Sequence, residues 1–593
     1  MDCRRLSLVC LVFAALLLAQ RADRATITGV VIDPNGAYVV GANVKIRNEA
    51  TGVETVLVSN DAGAYTTPLL TLGTYTVTVE HPGFKTFVRS GIQLTGGAVY
   101  RQDANLELGA VTERVEVTAA AEQINSSQAE VTNTVDQNYY KNLPVVMGAD
   151  IRLAEAMLLL QPGYFPMKPN GDPMFRGSQF SSRMNGGQTF GAENFFDGAA
   201  FGYASGHQQS HESAPSIESI QEMKVTNSMY SAQYGHTTGG TIEYTSKSGT
   251  NDLHGSLYEY FANDKLNARG FFPVARTKQR SNAFGFTVGG PVYIPKVYDG
   301  RNKTFFFFNM DWLKFRSGTL PGFGNTTPID AFKQGDFSAL LTGRQVGTDA
   351  LGRQIFEGQI FDPNTTRNVN GVPVRDAFPG NVIPAGHPLR SQVAAKVVPL
   401  MVRPDRPGLS FNVAGNPAGD QTWIANYRTP LVRLDHHFNP KFRTTTTFFW
   451  PYRPAVRNCG EVQGCNFRFD PETQSAQNDD YAGVGFYQRI TTHHATQQFD
   501  TIITNNLLHH ASVAYDRWFM GGIPISAGVG WPEKLWGANR GGILDQTAGF
   551  PNMSFSGNTP YTSLGTGWIG FGFEAINRWQ FSNDLTWVKG KHS

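Results

Sequence analysis

The sequence predicts a mainly β protein: a small N-terminal β-sandwich, a mixed α/β stretch, then a long series of antiparallel strands. Three observations carry this reading. From Thr26 to Leu108, short Thr- and Val-rich runs alternate with tight-turn signals, the pattern of a sandwich. Beyond the N-terminus no apolar run approaches the roughly 20 residues that a membrane-spanning helix needs. After Gly249, large apolar and polar residues alternate with a period of two, and aromatics gather at strand ends, as in "TFFFFNMDW", "TTTTFFWPY" and "SVAYDRWF". That alternation fits a soluble sandwich or a transmembrane β-barrel equally well.

The 593 residues, 17% of them charged and 12% aromatic, suffice for several domains with cores of their own. A formal net charge of +2, with no Lys/Arg-rich run, gives no electrostatic basis for nucleic-acid binding.

In chain order, "MDCRRLSLVCLVFAALLLAQRADRA" (1–25) reads as a secretory signal. Arg4 and Arg5 form the positive region and Leu6 to Ala19 the apolar region, with Ala22 or Ala25 as the cleavage position. Export would remove Cys3 and Cys10 and leave Cys459 and Cys465 in "NCGEVQGC". In an oxidising compartment two cysteines this close predict a small disulfide loop, since zinc would need further ligands nearby.

Residues 26–109 are the predicted sandwich, with turns at Asp33–Gly36, Asn60–Gly63, Leu72–Gly73 and Pro82–Gly83. The wording "GVVIDPNGAYVVGANVKIRN" followed by "DAGAYTTPLLTLGTYTVTVEHPGF" resembles the carboxypeptidase regulatory-like domain. The resemblance implies a transthyretin-like sandwich, a fold often grouped with carbohydrate-binding domains. The matching residues are folding turns, and none is catalytic.

Residues 110–134 form a polar linker carrying the extended tract Val115-Glu116-Val117-Thr118-Ala119. Residues 135–248 mix a helix expected at Gly148–Leu160 with Gly/Asn/Phe-rich loops. Here "FRGSQFSSRMNGGQTFGAENFFDGAAFG" and "SIESIQEMKVTNSMYSAQYGHTTGGTIEYTSKSGTNDLHGSLYEYFAND" resemble the plug and first barrel strand of TonB-dependent outer-membrane transporters, in the Oar-like subgroup. "NAFGFTVGGPVYIPKVYDGRNKTFFFFNMDWLKFRSG", "KQGDFSALL", "IFDPNTTR" and "FPGNVIPAGHPL" follow in that subgroup's order.

The resemblance implies a plug over 135–248, in which "SIESIQEMKV" is a short helix leading into a strand. Residues 249–593 would be an antiparallel transmembrane barrel in outer-membrane lipid, with hydrocarbon outside and water within. It implies energised uptake of a scarce nutrient (oligosaccharide, peptide or metal chelate), driven by TonB and its inner-membrane complex. The TonB-contact tract would then be Val115, Glu116, Val117, Thr118 and Ala119, on the periplasmic side with the sandwich. Residues 317–430, where alternation stops and Gly, Pro, Asn and Asp dominate, read as a long extracellular loop. The Cys459–Cys465 pair would lie in or near a second. A plugged transporter barrel has about 22 strands, and the residues after Gly249 could supply about half, so the barrel is expected to be incomplete. Rival readings are an Oar-like surface or adhesion protein without transport, and a secreted carbohydrate-binding β protein.

His207 and His211, in "GHQQSHESAP", are four apart, a spacing that on a helix could hold a metal. The Gly/Ser/Pro-bounded context and the absence of H-E-x-x-H favour a polar loop, with His207 and His211 as weak candidates for substrate contact, and no metal site is expected. The doublets His436–His437, His493–His494 and His509–His510 should place neighbouring rings on opposite faces of a strand, which excludes chelation within a doublet. With no G-x-S-x-G elbow, no Walker loop and no paired glycines following a strand as dinucleotide binding demands, neither catalysis nor a cofactor is expected.

Overall fold

A computed structural model describes residues 23–110, 237–269, 279–318, 325–401, 421–457, 486–504, 506–524 and 572–587 continuously. Shorter stretches lie between them, among them 114–118, 131–136, 183–188, 191–201, 215–228 and 530–537.

The N-terminal unit is a two-sheet sandwich. β1 (Thr26–Ile32), β4 (Ala64–Thr66) and β7 (Val99–Arg101) form one sheet, with β8 (Ala104–Asn105) also on β1. The other runs in the order β3 (Glu54–Val58), β2 (Asn43–Asn48), β5 (Gly73–Glu80), β6 (Thr86–Leu94) and β9 (Arg114–Thr118). Strict alternation sets the core: Ile27, Val31, Val44, Ile46, Leu57, Val77 and Val79 turn inward and pack together. The turns are held by side-chain acceptors. Asp33 Oδ1 takes the Asn35 and Ala37 amides, and Asn60 Oδ1 those of Ala62 and Ala64. Gly63 sits at φ 64°, where a Cβ would approach the Val31 carbonyl to 2.8 Å. The core reaches past the sandwich to Ile502 and Leu508, on either side of a tight turn of the large sheet.

The middle sheet has the order Val131–Asp136, Ile220–Ser228, Thr241–Ser246, Glu193–Phe196, Ala199–Ala200. A 3-10 turn, Ile217–Ser219, leads into the second of these strands. Thr241–Ser246 is buried along its whole length, on both faces. Met223, Val225, Ile242, Tyr244 and Phe196 pack with Phe307, Leu431 and Phe449 of the large sheet, so this unit lies against the concave side of that wall. Most of the helix expected at Gly148–Leu160 lies outside the described residues; of those described, Ala154, Met157 and Leu158 join the same cluster.

The large antiparallel sheet has nine strands. They are His254–Asn263, Gln279–Pro291, Thr304–Gly318, Gln421–Asn439, Phe442–Phe449, Tyr452–Arg457, Phe486–Thr504, Leu507–Pro524 and Gly572–Trp587. Phe442–Phe449 and Tyr452–Arg457 are halves of one stave, since both pair with the same two neighbours and only Trp450–Pro451 separates them. Pro451, without an N–H, cannot continue the ladder. The short connections from Asn439 to Phe442 and from Thr504 to Leu507 lie at the sandwich end, and the longest connections at the other. Among the described residues the first and last strands each pair on one side only, so the sheet is open.

Along Thr304–Gly318 the odd positions Phe305, Phe307, Asn309, Asp311, Leu313 and Phe315 are buried, and Phe306, Phe308, Met310 and Trp312 face outward. Along Phe486–Thr504 the inward row from Gln488 runs Gln488, Ile490, Thr492, His494, Thr496, Gln498 and Asp500. The inner surface of the wall thus mixes polar residues with apolar ones, several of which pack on the middle sheet, and the outer surface carries a band of rings: Phe284 stacks on Trp312 and Phe286 tilts against Phe308.

The expected loop over 317–430 needs two corrections. Strand Gln421–Asn439 begins within it, so its last ten positions are wall. The excursion also has strands of its own: Gln345–Thr348 pairs with Gln354–Phe356, and Phe361–Val369 with Val372–Ala377. Apart from the buried Val374, their residues are exposed or half-buried, which leaves no regular apolar alternation to read. Ion pairs bind them instead, Arg344 with Glu357, and Arg353 and Arg367 with Asp376.

Candidate functional site

The site is the buried polar contact where the middle sheet and the N-terminal edge of the sandwich meet the inward face of the wall. Residues two apart on a strand share a face, so Arg433 and Asp435 both point inward. Arg433 Nε donates to Asp435 Oδ2 at 2.9 Å and Nη2 to Asp435 Oδ1 at 3.1 Å. Its Nη1 donates to the Ser246 carbonyl at 2.9 Å, with Asp197 Oδ1 3.9 Å away.

Asp197 sits at φ 46° in the Asp-Gly turn between Glu193–Phe196 and Ala199–Ala200, a left-handed position that Asp tolerates. Its carboxylate accepts from the Ser246 amide (2.9 Å), the Ser246 hydroxyl (2.7 Å) and the Thr447 hydroxyl (2.8 Å). Asp435 accepts further from Thr445 (2.7 Å) and Ser248 (3.0 Å). Wall and inner sheet are therefore joined by charge-assisted bonds, the stronger kind.

Asp23 and Arg24, at 3% and 2% exposure, complete the network from the sandwich side. Arg24 Nη2 donates to Thr445 Oγ1 at 3.0 Å and to Gln498 Oε1. Gln498 Nε2 donates to Asp23 Oδ2 at 3.2 Å and to the Asp197 carbonyl at 2.7 Å. Burial pulls the Arg24 guanidinium below its ordinary value, against the opposing pull of Asp500 and Asp23. Asp500 in turn accepts from Arg443 Nε at 3.1 Å and pairs with His510 Nδ1 at 2.6 Å. One more bond ties sandwich to middle sheet directly, from the Gly96 amide to Glu222 Oε1 at 2.8 Å.

Chemically this arrangement fastens: its buried ions are paired across the wall, the middle sheet and the N-terminal edge of the sandwich, and hold the three units together. Among the described residues no group of three His, Cys, Asp or Glu could hold a metal ion. Two clefts, of about 510 and 410 Å³, separate the sandwich from the wall; Gly52–Thr55 face Phe438–Arg443 across one, and Thr71–Gly73 face Lys247–Thr250 across the other.

His207, His211, Cys459, Cys465 and Ala119 lie outside the described residues. Val115–Thr118 fall in β9, which pairs in parallel with β6 from Thr86↔Arg114 to Ser90↔Thr118. The histidine doublets straddle the wall. His494 and His510 are buried beside Asp516 and Asp500, while His509 bonds Asn583 on the outer side. The alternation of "LVRLDHHF" by itself puts Arg433 and Asp435 on one face, whereas sequence reading missed Asp197, Ser246, Asp23 and Arg24. The Asp-Gly of "FFDGAAFG" was the available signal for Asp197.

Comparison with known proteins follows the same division. Residues 245–593 match the family described as outer membrane beta barrel domain, and residues 26–107 the carboxypeptidase regulatory-like domain. A curated relative is the TonB-dependent transporter Oar of Myxococcus xanthus, 28% identical over 298 residues, which is 47% of this chain and 26% of Oar. Solved structures that align include the outer membrane transporter YddB from Escherichia coli, with TM-score 0.38, 9% identity, and 77% and 45% of the two chains covered. The ferric enterobactin receptor PfeA of Pseudomonas aeruginosa aligns with TM-score 0.35, 9% identity, and 75% and 44% covered. The chain thus spans about a quarter of the curated relative's length and under half of each solved receptor.

Proposed function

Since the chain belongs to the outer membrane beta barrel family, we propose that it is the receptor part of a TonB-dependent outer-membrane transporter taking up a scarce nutrient, an oligosaccharide, peptide or metal chelate. The observation that carries this reading is the inner sheet seated on a partly polar concave wall whose convex side bears rings. A structural sandwich has no use for an ion-paired insert; a gated pore needs one. The similarity to Oar, a TonB-dependent transporter, supports the same reading.

The outer membrane has no nucleotide supply, so work must arrive mechanically through a partner that grips an extended segment. Main-chain pairing provides such a grip with little demand on side-chain identity. The tract Val115–Ala119 is the proposed contact for TonB. In β9 its described residues already have one edge on β6, and no strand pairs the other edge among the described residues. A TonB strand adding to that outer edge would make the sandwich the handle through which force enters. The force would then reach the middle sheet through Gly96 and Glu222, and the wall through Arg24. Short connections mark the periplasmic end in barrels of this class, which supports a TonB-facing position for sandwich and tract.

The test is uptake by cells carrying the protein, with and without TonB. Deleting Val115–Ala119 is expected to abolish uptake while leaving nutrient binding to whole cells intact. Uptake that persists without TonB removes the TonB-driven reading, and binding with no uptake in either strain leaves a surface role.

A further inference from the structure

We infer that the sandwich is a second closure: it caps the end of the lumen opposite the long excursions, and must lift off the wall before the middle sheet can yield. The inference rests on the transporter reading above and adds to it a gate in series with the inserted sheet.

The sandwich meets the wall over a wide footprint. At the lead-in to His254–Asn263, the Ala50 carbonyl accepts from the Asn251 N–H at 3.2 Å and the Thr51 carbonyl from Asn251 Nδ2 at 2.5 Å. Asn251 is clasped in turn to Asn302, in the connection from Gln279–Pro291 to Thr304–Gly318. Its Nδ2 donates to Asn302 Oδ1 at 2.7 Å, and the Asn302 N–H donates to Asn251 Oδ1 at 2.9 Å. Gly52, at φ 67°, comes so close that a Cβ would stand 2.5 Å from Asn302 Oδ1. Further round, Gly52–Thr55 and Pro68 face Phe438–Arg443 across the larger cleft, and Ile502 and Leu508 join the sandwich core. All but the last stave therefore meet the sandwich at the same end. A body touching that many consecutive staves of a concave wall, and bonded from Gly96 to Glu222 of the sheet on the concave side, lies across the opening rather than beside it.

The same unit is bonded to the wall, which stays, and to the middle sheet, which would move. Drawing the sheet out through this end requires the wall contacts to break. The rim bonds are neutral and part-exposed, so water replaces them as they part. The middle sheet is held by buried, charge-assisted bonds at Arg433, so the cap is the first of the two to give. Seal and proposed grip also stand at opposite edges of one sheet: Ala50–Gly52 lie in the turn leading into edge strand β3, and β9 is the other edge. Tension at β9 acts on the rim as a lever.

Two buried reporters read the two closures separately, in chains whose native cysteines are changed to serine. Leu508→Cys lies against the sandwich and Met223→Cys between middle sheet and wall. Both are labelled with a maleimide small enough to pass porins, in cells in yeast extract–peptone medium, with and without TonB. Labelling at both positions is expected to rise about tenfold with TonB. Gly52→Cys with Asn302→Cys supplies a staple, since a Cβ at 52 lies 3.6 Å from Asn302 Cγ, where the second sulfur would sit. Oxidised, it should hold both reporters at the rate seen without TonB, and a reductant should restore the rise. A Met223→Cys rise that survives the oxidised staple, or that comes with no rise at Leu508→Cys, overturns the inference and leaves the transporter reading standing. No rise at Met223→Cys in the unstapled chain overturns both. A further variant needs neither TonB nor staple: Asn251→Ala with Asn302→Gly removes the rim clasp, and should speed Leu508→Cys labelling about tenfold while Met223→Cys stays protected. An unchanged Leu508→Cys rate there also overturns the inference.

Discussion

At Arg433 one side chain serves two carboxylates on two different units, Asp435 on its own strand and Asp197 on the middle sheet. Buried ion pairs are poor sources of net stability, but removing one partner strands the other and costs about 3–5 kcal/mol. Arg433→Met is therefore expected to destabilise the assembled protein by about that much, read as a shifted urea midpoint in detergent. The double variant Arg433→Met, Asp435→Leu should recover part of the loss, because the uncompensated charge goes too. Half of this arrangement was legible from "LVRLDHHF", whose alternation puts Arg433 and Asp435 on one face. Asp197 was not legible, because its partners Ser246 and Thr447 stand 49 and 250 positions away in sequence. A turn aspartate reads the same whether it caps its own turn or bridges to a distant wall.

Among elements, β9 is the one whose setting changes the reading of its residues. The tract Val115–Ala119 was taken from sequence as part of a linker; in the fold its described part is a sandwich strand, in register with Thr86–Ser90. Backbone pairing between segments so joined has no side-chain period to betray it. If TonB adds to the outer edge, locking the inner edge is harmless. The register pair Val88↔Glu116 offers the lock: Val88→Cys with Glu116→Cys, oxidised, is expected to leave uptake unchanged. Loss of uptake that a reductant restores would mean that β9 has to leave the sandwich before it can be gripped. The hairpins of the excursion make a second case. Asp376 takes bonds from Arg367 at 2.8 and 2.9 Å and from Arg353, which hold its carboxyl well below the usual carboxylate range. A folded-state value below the unfolded one means the contribution is present above the ordinary carboxylate pKa, near 4, and fades as pH falls beneath it. Hydrogen exchange across Phe361–Ala377 should thus match at pH 7 and pH 5, once corrected for intrinsic rates, and speed up only below about pH 4. In Asp376→Asn that acid-induced step should vanish.

For the whole molecule, the deciding question is which solvent meets the convex side of the large sheet. Alternation could not answer it, since a sandwich and a barrel wall share the period of two; ordered family wording did, and the fold now separates the two faces residue by residue. Along Thr304–Gly318 the outward row runs Phe306, Phe308, Met310, Trp312, then Lys314 and Arg316, apolar through the middle and charged at the end away from the sandwich. A stave lying in lipid should show that gradient, because a charge on the lipid face costs about 2–4 kcal/mol at the bilayer midplane and about 0–1 near its surfaces. A wall bathed in water has no reason to. The open edges His254–Asn263 and Gly572–Trp587 sharpen the constraint, as unpaired backbone in hydrocarbon costs several kcal/mol per group; further strands or another cover must shield them in a membrane. With the assembly folded into bilayers and titrated with urea, Phe308→Arg is expected to cost about 2–4 kcal/mol, against less than about 1 kcal/mol for Lys314→Arg. Should Phe308→Arg prove as mild as Lys314→Arg, and the wild-type chain stay in the aqueous phase when partitioned against detergent, the convex side faces water and the transporter reading fails with it.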